Sequence, residues 1–406
     1  MMKEFETYTL SNGIKGIHRR VKSTISHCAL VINAGTRDEL KAEYGLAHFA
    51  EHAIFKGTER RKAYQVNCRL ENRGGELNAY TTKEDTTIHA TTLKSDFAKA
   101  AELIADVAFH STFPEKELAK EREVIADEIN TYKDSPADLI FDNFEEMLFE
   151  GSELGHNILG TKAALMRHTS ESIKRFISRT HTTDQMAFST IGNIPLSRVQ
   201  SVAEQYFGAK PSTVRSFSRT APAITPSFEK ILNKHTHQTH CIVGARAYDI
   251  HSEKRLPLAL LINILGGPSA NSRLNVVLRE KNGLSYNIEA AYTPYNDCGM
   301  TAIYFSSDHH NADHCRELID KELRMLRTTK LSSRCLAMIK RQFLAQMAIS
   351  MENNEGYMLG AGKSYLIHDE IDTLEEVYTK VSAVTAEQIM DVAEEIFSTT
   401  STLIYK

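Results

Sequence analysis

The sequence predicts an α+β fold of two homologous domains, each an antiparallel β-sheet with helices packed on one side. The first observation behind this prediction is that short strands and amphipathic helices are interspersed along the first half of the chain. The second is a change of composition to Pro, Ser, Thr and Arg at residues 209–226, which is typical of a linker. The third is a weak internal repeat across that linker. The predicted domains are therefore residues 1–208 and 227–406.

Length and composition agree with two globular domains. A chain of 406 residues exceeds what one hydrophobic core usually supports, and its 42% apolar and 25% charged residues are those of an ordinary globular protein. The net charge of −4 gives no electrostatic reason to expect nucleic acid or an anionic membrane as a partner. No apolar run reaches the length of a transmembrane helix, and the first residues resemble neither a signal peptide nor a presequence. The six cysteines are scattered and predict reduced thiols, so we expect a cytoplasmic protein.

Local patterns predict the elements of the first domain in order. The dipeptide Asn12-Gly13 separates two short strand-like segments and predicts a β-hairpin. The apolar run His27–Ile32 predicts a central strand. The pair Gly74-Gly75 predicts a sharp turn into two antiparallel strands at residues 76–82 and 86–93. Apolar periodicity then predicts five helices and a last strand, at about residues 63–72, 96–110, 114–132, 136–148 and 161–179, and at 187–191.

Two segments of the first domain recur after the linker. Strand-like segments begin at Ser26-His27-Cys28 and again at Thr239-His240-Cys241. Helix-like segments begin after Thr169 and again after Thr385, and each leads to a terminal strand. Because the offset along the chain is nearly the same for both pairs, they predict a duplicated domain of about 200 residues. The second copy has Leu265-Gly266-Gly267-Pro268 near the place where the first copy carries a histidine motif.

A His-x-x-Glu-His motif at residues 48–52 is the strongest sign of chemistry in the sequence. If the segment is helical, His48 and His52 lie one turn apart on one face and can bind a single metal ion. Glu51 can then point toward that face and act as a general base for a water at the metal. Gly57 fits a C-terminal stop for the helix. The alternative is a pair of buried core histidines beside a glutamate that occurs there by chance.

A catalytic zinc site needs a third protein ligand, and the helix predicted after Pro114 offers the best candidate. Glu121 and Glu128 are seven residues apart, so they lie two turns apart on one helix face, about 10 Å along the axis. Glu128 could coordinate the metal while Glu121 bonds to a ligand imidazole from outside the coordination shell. The same spacing equally fits a charged helix face exposed to solvent. Histidines near residues 235–240 and 309–314 have no comparable carboxylates and are expected at the surface or at helix starts.

Together these residues resemble peptidase family M16, the inverted-motif zinc metallopeptidases that include pitrilysin, insulin-degrading enzyme and the mitochondrial processing peptidase. The motif at residues 48–52, followed by Glu121 and Glu128, is similar to the metal site of that family. Residues 74–81 resemble its edge strand, and residues 278–286 resemble its arginine–tyrosine element in the second domain. The resemblance covers the whole chain. The length fits the short members, in which one chain is half of a two-part clamshell chamber.

The resemblance implies a LuxS-like or processing-peptidase-like fold and a zinc metalloendopeptidase with one Zn²⁺ per chain. His48, His52 and Glu128 would bind the metal. Glu121 would orient a ligand histidine, and Glu51 would be the general base.

The resemblance also implies how a substrate is held. Arg279 and Tyr286 would bind the peptide near the scissile bond and stabilise the oxyanion. Without the resemblance, these two residues would be interpreted as a salt-bridge partner and a half-buried strand tyrosine. The substrate backbone would pair with the strand residues Asn78, Ala79, Tyr80 and Thr81.

Peptides or unfolded polypeptides are the expected substrates, because an enclosed chamber selects by size. A homodimer is the expected assembly, with a heterodimer of related chains as the alternative. A different class of function is a non-catalytic scaffold or partner subunit of an M16-type complex. Such subunits characteristically lose metal or catalytic residues, whereas this chain keeps all of those named above, which argues against that class.

Overall fold

The computed structural model describes residues 4–406, which form two compact units with one β-sheet each. The first sheet contains β1 (Glu6–Thr9), β2 (Lys15–Arg20), β3 (Ile25–Ile32), β4 (Glu76–Thr81), β5 (Thr86–Leu93) and β6 (Met186–Gly192). The second contains β7 (Glu229–Leu232), β8 (Thr239–Ala247), β9 (Ser285–Pro294), β10 (Gly299–Ser307) and β11 (Ser401–Tyr405). The helices before the linker are α1 (Leu46–Ala53), α2 (Ala63–Glu71), α3 (Phe97–Phe109), α4 (Glu115–Lys133), α5 (Pro136–Leu148), α6 (Lys162–Leu165), α7 (Ser170–Thr180) and α8 (Leu196–Tyr206). Those after it are α9 (Arg255–Gly266), α10 (Ala312–Thr328), α11 (Ser333–Met351), α12 (Asn354–His368), α13 (Leu374–Ala383) and α14 (Ala386–Phe397). Within residues 4–406, no helix is long and apolar enough to span a membrane.

The first sheet has the strand order β1-β2-β6-β3-β5-β4. The predicted hairpin β1–β2, the interior position of β3 and the antiparallel pair β4–β5 are all confirmed. The prediction of a purely antiparallel sheet is wrong in one detail, because β2 and β6 pair in parallel. Most of the first half of the chain lies between these two strands, so no tight hairpin fixes their relative direction.

The second sheet repeats the first. Its order, β7-β11-β8-β10-β9, matches β2-β6-β3-β5-β4 strand by strand, and β7 and β11 again pair in parallel. The helices α7 and α14 also begin alike, because the hydroxyls of Thr169 and Thr385 accept backbone N–H groups of the first turn. The α+β fold with a duplicated unit is therefore confirmed. In the second unit, α9 packs on β9 and carries no histidine motif.

The two units are discontinuous in sequence, unlike the predicted domains. The first consists of residues up to Asn130 with His156–Thr220 and Ile349–Thr373, and the second contains the remaining segments. The units are discontinuous because α5 packs on β8 and β11, while α12 packs on β3 and β6.

This exchange of helices also corrects the prediction that helices cover one side of each sheet. In β3, Leu30 and Ile32 face the main core, whereas Ala29 and Val31 face α12 from the opposite side of the sheet. A strand that is apolar on both faces needs a cover on both faces to remove it from water. The second sheet is likewise covered on both faces: Phe144 of α5 packs with Ile242 and Leu403 on the face away from the main core of the second unit.

Two further predictions need adjustment. The single helix predicted at residues 161–179 is divided into α6 and α7, because Thr169 acts as a new N-terminal cap within it. The linker has no helix or strand, as its composition predicts, yet its first part is bound to the first unit. Arg219 donates to Asp38 at 2.7 Å, with both side chains buried, and the boundary between the units falls after Thr220.

Candidate metal centre

The histidine motif lies on α1, as predicted. The helix is preceded by its cap residue Gly45, whose φ of +86° and close approach to the Leu159 carbonyl (2.8 Å from the position of an added Cβ) require glycine. It ends in a 3₁₀ turn before Gly57, whose φ is +127°. One face of α1 is buried in the main core through Leu46, Phe49, Ala50 and Ala53. This packing fixes the helix, so that His48 and His52 point away from it as a pair with ring centroids 4.6 Å apart.

The second contributor is α4, which brings Glu121 and Glu128 toward α1. Leu118, Ile125 and Ile129 bury one face of this helix, and Glu121 lies on the same face with its side chain 8% exposed. The alternative of a solvated charged face therefore does not apply to Glu121. Glu128 lies two turns further along and its side chain is 43% exposed, which leaves its carboxylate accessible from solvent.

Three ligand groups converge between the two helices. The Nε2 atoms of His48 and His52 each lie 3.7 Å from a different carboxylate oxygen of Glu128. The ligand atoms of the three residues all lie within 4.8 Å of one another. Zinc bonds of about 2.0–2.2 Å in tetrahedral geometry place ligand atoms about 3.3–3.6 Å apart. The residues of this cluster therefore fit a zinc ion in both chemistry and spacing.

Glu121 connects the cluster to a lysine. One carboxylate oxygen of Glu121 lies 2.9 Å from Nδ1 of His52, and the other lies 2.6 Å from Nζ of Lys56. This contact leaves Nε2 of His52 for a metal, which is the usual arrangement for a ligating imidazole. Lys56 lies outside the motif and was not among the predicted site residues. Its position four residues after His52, one turn further along the same segment, is the signal that could have identified it.

Burial and neighbouring charges set the protonation of the two histidines. Burial, reinforced by His52, lowers the pKa of His48 to about 3, so the imidazole is neutral and available as a ligand. Burial also acts to lower the pKa of His52, but the hydrogen bond to Glu121 and the charges of Glu51 and Glu121 outweigh it and raise that pKa. The pKa of Glu121 is lowered, because its bonds to His52 and Lys56 outweigh the effect of burial.

Glu51 is half-buried beside the edge strand β4. Burial raises the pKa of its carboxyl to about 7, while the charge of His52 and the hydroxyl of Thr81 act in the opposite direction. A carboxyl whose pKa lies near neutrality is suited to accept and return a proton. The predicted base thus lies between α1 and the strand that the resemblance associates with substrate.

The strand β4 forms a free edge of the first sheet, next to α1. Thr82 donates its N–H to the carbonyl of Asp85 at 2.8 Å, which closes the β4–β5 hairpin and sets its register. Because bonded positions alternate in an antiparallel pair, the N–H and C=O groups of Leu77, Ala79 and Thr81 point outward, away from β5. Among the four predicted substrate-binding residues, Ala79 and Thr81 therefore have outward-facing backbone groups, whereas Asn78 and Tyr80 bond to β5.

Arg279 and Tyr286 lie in the second unit, where they contact each other. The guanidinium of Arg279 stacks over the Tyr286 ring at 4.5 Å, and Tyr286 is 77% exposed. Arg279 is part of a π-helical turn at Asn275–Glu280, and π-helical turns are rare and frequently occur at functional sites. Tyr286 is the second residue of the edge strand β9, and its high exposure means that it is not the half-buried strand tyrosine of the alternative interpretation.

The fold and the cluster define a class of protein: a duplicated α+β chain with a histidine–histidine–glutamate centre of the zinc-peptidase type. The sequence model described as Insulinase (Peptidase family M16) matches residues 17–162, and that described as Peptidase M16 inactive domain matches residues 167–343. An uncharacterized zinc protease of Bacillus subtilis, YmxG, is 31% identical over 393 residues, covering 96% of this chain and 95% of the relative. An uncharacterized zinc protease of Rickettsia felis is also 31% identical, covering 100% of this chain and 98% of the relative. The chain therefore belongs to peptidase family M16, as the resemblance predicted, and it has the length of a single half.

Solved structures agree on the fold. A protease from Helicobacter pylori superposes with a TM-score of 0.91 at 20% identity, covering 99% of both chains. A peptidase M16 inactive domain from Pseudomonas fluorescens gives a TM-score of 0.91 at 18% identity, covering 99% of this chain and 98% of that one. At these identities the comparison concerns architecture, and the chemistry has to be argued from the residues of this chain.

Proposed function

We propose that the protein is a zinc-dependent endopeptidase that hydrolyses peptides or unfolded polypeptides bound in an extended conformation. The observation that carries this proposal is the convergence of His48, His52 and Glu128, whose ligand atoms lie within 4.8 Å of one another. The half-buried Glu51 beside this cluster supplies a base, which a purely structural metal site would not need. The zinc proteases that the chain resembles over nearly its whole length support the same class of function.

The residues of the chain divide the work of peptide hydrolysis. A zinc ion held by His48, His52 and Glu128 would act as a Lewis acid toward water and the scissile carbonyl. Glu51 accepts the proton that the attacking water loses and delivers it to the leaving amine. Glu121 and Lys56 hold the His52 ring in one orientation throughout the reaction.

Substrate orientation is assigned to the free edge of β4. An extended peptide can add to this edge as a further strand, with the outward backbone groups of Ala79 and Thr81 as its partners. These bonds involve backbone atoms only, so they accept many sequences. Because Thr81 also adjoins Glu51, a peptide bound there would have its backbone close to the base.

The test compares zinc content with cleavage of an internally quenched peptide by the purified chain. We expect wild-type protein to bind about one zinc ion per chain and to cleave the peptide. Glu51→Gln should keep the zinc and lose nearly all turnover, because the ligands remain and the base is removed. Glu128→Gln should lose both. A Glu51→Gln variant with wild-type turnover would refute the mechanism, and a wild type that binds zinc without cleaving any peptide would favour the scaffold function.

We further propose that the working assembly is a homodimer in which the metal centre of one subunit is completed by Arg279 and Tyr286 of the other. Both elements are intact in this chain, whereas a dedicated heterodimer would allow each partner to lose one of them. A twofold dimer would form two equivalent sites.

Complementation tests this assembly. Inactive Glu51→Gln protein is mixed with inactive Tyr286→Phe protein under conditions in which the subunits exchange, and peptide cleavage is measured. Half of the dimers are then mixed and hold one intact site each, so up to about a quarter of wild-type activity should return. If the subunits exchange and no activity returns, the site is not shared between subunits.

A further inference from the structure

The start of the metal-binding helix is closed by the buried carboxyl group of a glutamate. The side chain of Glu39 is 0% exposed, and its two oxygens accept the N–H groups of Gly45 at 2.9 Å and Ala47 at 2.6 Å. The first N–H groups of a helix have no partners within the helix, so an acceptor is needed when they are buried. Ala47 directly precedes His48, and Glu39 therefore fixes the turn that carries this ligand.

A histidine holds this carboxyl group in place. Nε2 of His156 lies 2.8 Å from the Glu39 oxygen that also receives the Gly45 N–H. The His156 ring is itself fixed, because it stacks on Tyr44 with centroids 3.9 Å apart and an interplanar angle of 7°. Four residues later, Gly160 approaches Gly45 so closely that an added Cβ would lie 2.8 Å from the Gly45 Cα. The segment from His156 to Gly160 is thus packed against the beginning of α1.

We propose that Glu39 and His156 are positioning residues of the metal centre, which together hold the first turn of α1 so that His48 faces His52 and Glu128. The inference rests on the proposed function, since it concerns the same zinc ion. Its physical basis is that core packing holds the far face of this eight-residue helix, whereas the N–H groups of Gly45 and Ala47 at its start are held by Glu39. Glu121 orients His52 directly, whereas His48 depends on how the backbone of its turn is held.

The experiment measures zinc affinity by chelator competition, together with the melting temperature of the zinc-free protein. His156→Phe keeps an aromatic ring against Tyr44 and removes the bond to Glu39. Glu39→Gln keeps the volume of the side chain but cannot accept from both N–H groups and His156 at once. The matched control is His18→Phe, because His18 is a buried histidine of the first unit that likewise bonds through Nε2, to the Ile194 carbonyl at 2.8 Å, but lies on β2.

We expect His156→Phe and Glu39→Gln to weaken zinc binding about 10- to 100-fold, the range for residues that orient metal ligands. His18→Phe should lower the melting temperature about as much as His156→Phe does, while keeping wild-type zinc affinity. The inference is overturned if the His156 and Glu39 variants keep wild-type affinity, or if His18→Phe loses affinity equally. Wild-type protein that binds no zinc would instead overturn the proposed function, and the inference with it.

Discussion

Replacing Glu121 by glutamine is the sharpest test of how the metal centre is built. The Glu121 carboxylate lies 2.9 Å from Nδ1 of His52 and 2.6 Å from Nζ of Lys56, and its side chain is 8% exposed. A glutamine can present its oxygen to only one of these two donors. Its NH₂ group must then face either the His52 N–H or the Lys56 ammonium, so one of these half-buried donors loses its acceptor.

The size of the effect follows from these contacts. Loss of a partner that orients a ligand histidine typically lowers metal affinity 10- to 100-fold, which corresponds to about 1.4–2.7 kcal/mol. Leaving a fully buried donor unpaired costs about 1–3 kcal/mol, and the cost for these half-buried donors should lie toward the lower end of that range. We therefore expect Glu121→Gln to bind zinc about 10- to 100-fold more weakly and to remain folded.

Zinc titration by chelator competition, with circular dichroism to verify folding, measures this effect. Glu117→Gln is a matched control, because Glu117 lies one turn earlier on α4 and pairs with Lys120 at 2.9 Å at the surface. The control should keep wild-type affinity. The zinc affinity of Lys56→Met should lie between those of Glu121→Gln and Glu117→Gln, since this change removes the cation but keeps the bond between Glu121 and His52. Wild-type zinc affinity in Glu121→Gln would refute the assigned role.

Three more predictions concern substrate, metal and pH. Ala79→Pro removes an N–H that points away from β5, so we expect KM for an extended peptide to rise about 3- to 10-fold with zinc affinity retained. The control Tyr80→Pro removes an N–H that bonds to β5 and should instead lower the stability of the protein. An unchanged KM in Ala79→Pro would argue against strand addition. Zinc at 100 times its dissociation constant should raise the free energy of unfolding of the first unit by about 2.7 kcal/mol in urea titrations, and Glu128→Gln should show no such increase. Burial lowers the pKa of His181 to about 3 in the folded state, so the neutral form is favoured and stability is lost as pH falls below about 6.5, the value in the unfolded chain. Between pH 7 and pH 5 this loss should reach about 2 kcal/mol relative to His181→Phe, and parallel pH curves for the two proteins would contradict it.

Local sequence determined much of the fold and the donor atoms of the site. The i, i+4 spacing of His48 and His52 and the apolar periodicity around them depend only on the geometry of one helix, and the structure has that helix. The same holds for the turn at Asn12-Gly13 and for the caps at Thr169 and Thr385, where one or two residues set the local backbone. The duplication was visible because it repeats such local signals at nearly one offset.

Sequence patterns left open which side of α4 is buried. Glu121 and Glu128 fit a solvated face as well as a metal site, because the spacing of seven is the same in both cases. Only the tertiary structure brings Glu121 within hydrogen-bond distance of His52 and Lys56, and brings Glu128 to 3.7 Å from both Nε2 atoms. The Glu39–His156 contact was likewise invisible, since its members lie far apart in the chain and neither belongs to a motif.

Tertiary structure alone decided the composition of the two units. The helix α5 comes from the first half of the chain and packs on the second sheet, whereas α12 comes from the second half and packs on the first sheet. The apolar pattern of neither helix shows which sheet it contacts. An amphipathic helix records that one of its faces is buried, but not which surface buries it. The strand β3 is apolar on both faces, through Leu30 and Val31, so its sequence shows that both faces must be buried. It does not show which segments of the chain bury them. Which helix supplies each cover depends on contacts between segments distant in sequence, such as the bond from the Ser189 hydroxyl to the Met358 carbonyl, and these exist only once the chain has folded.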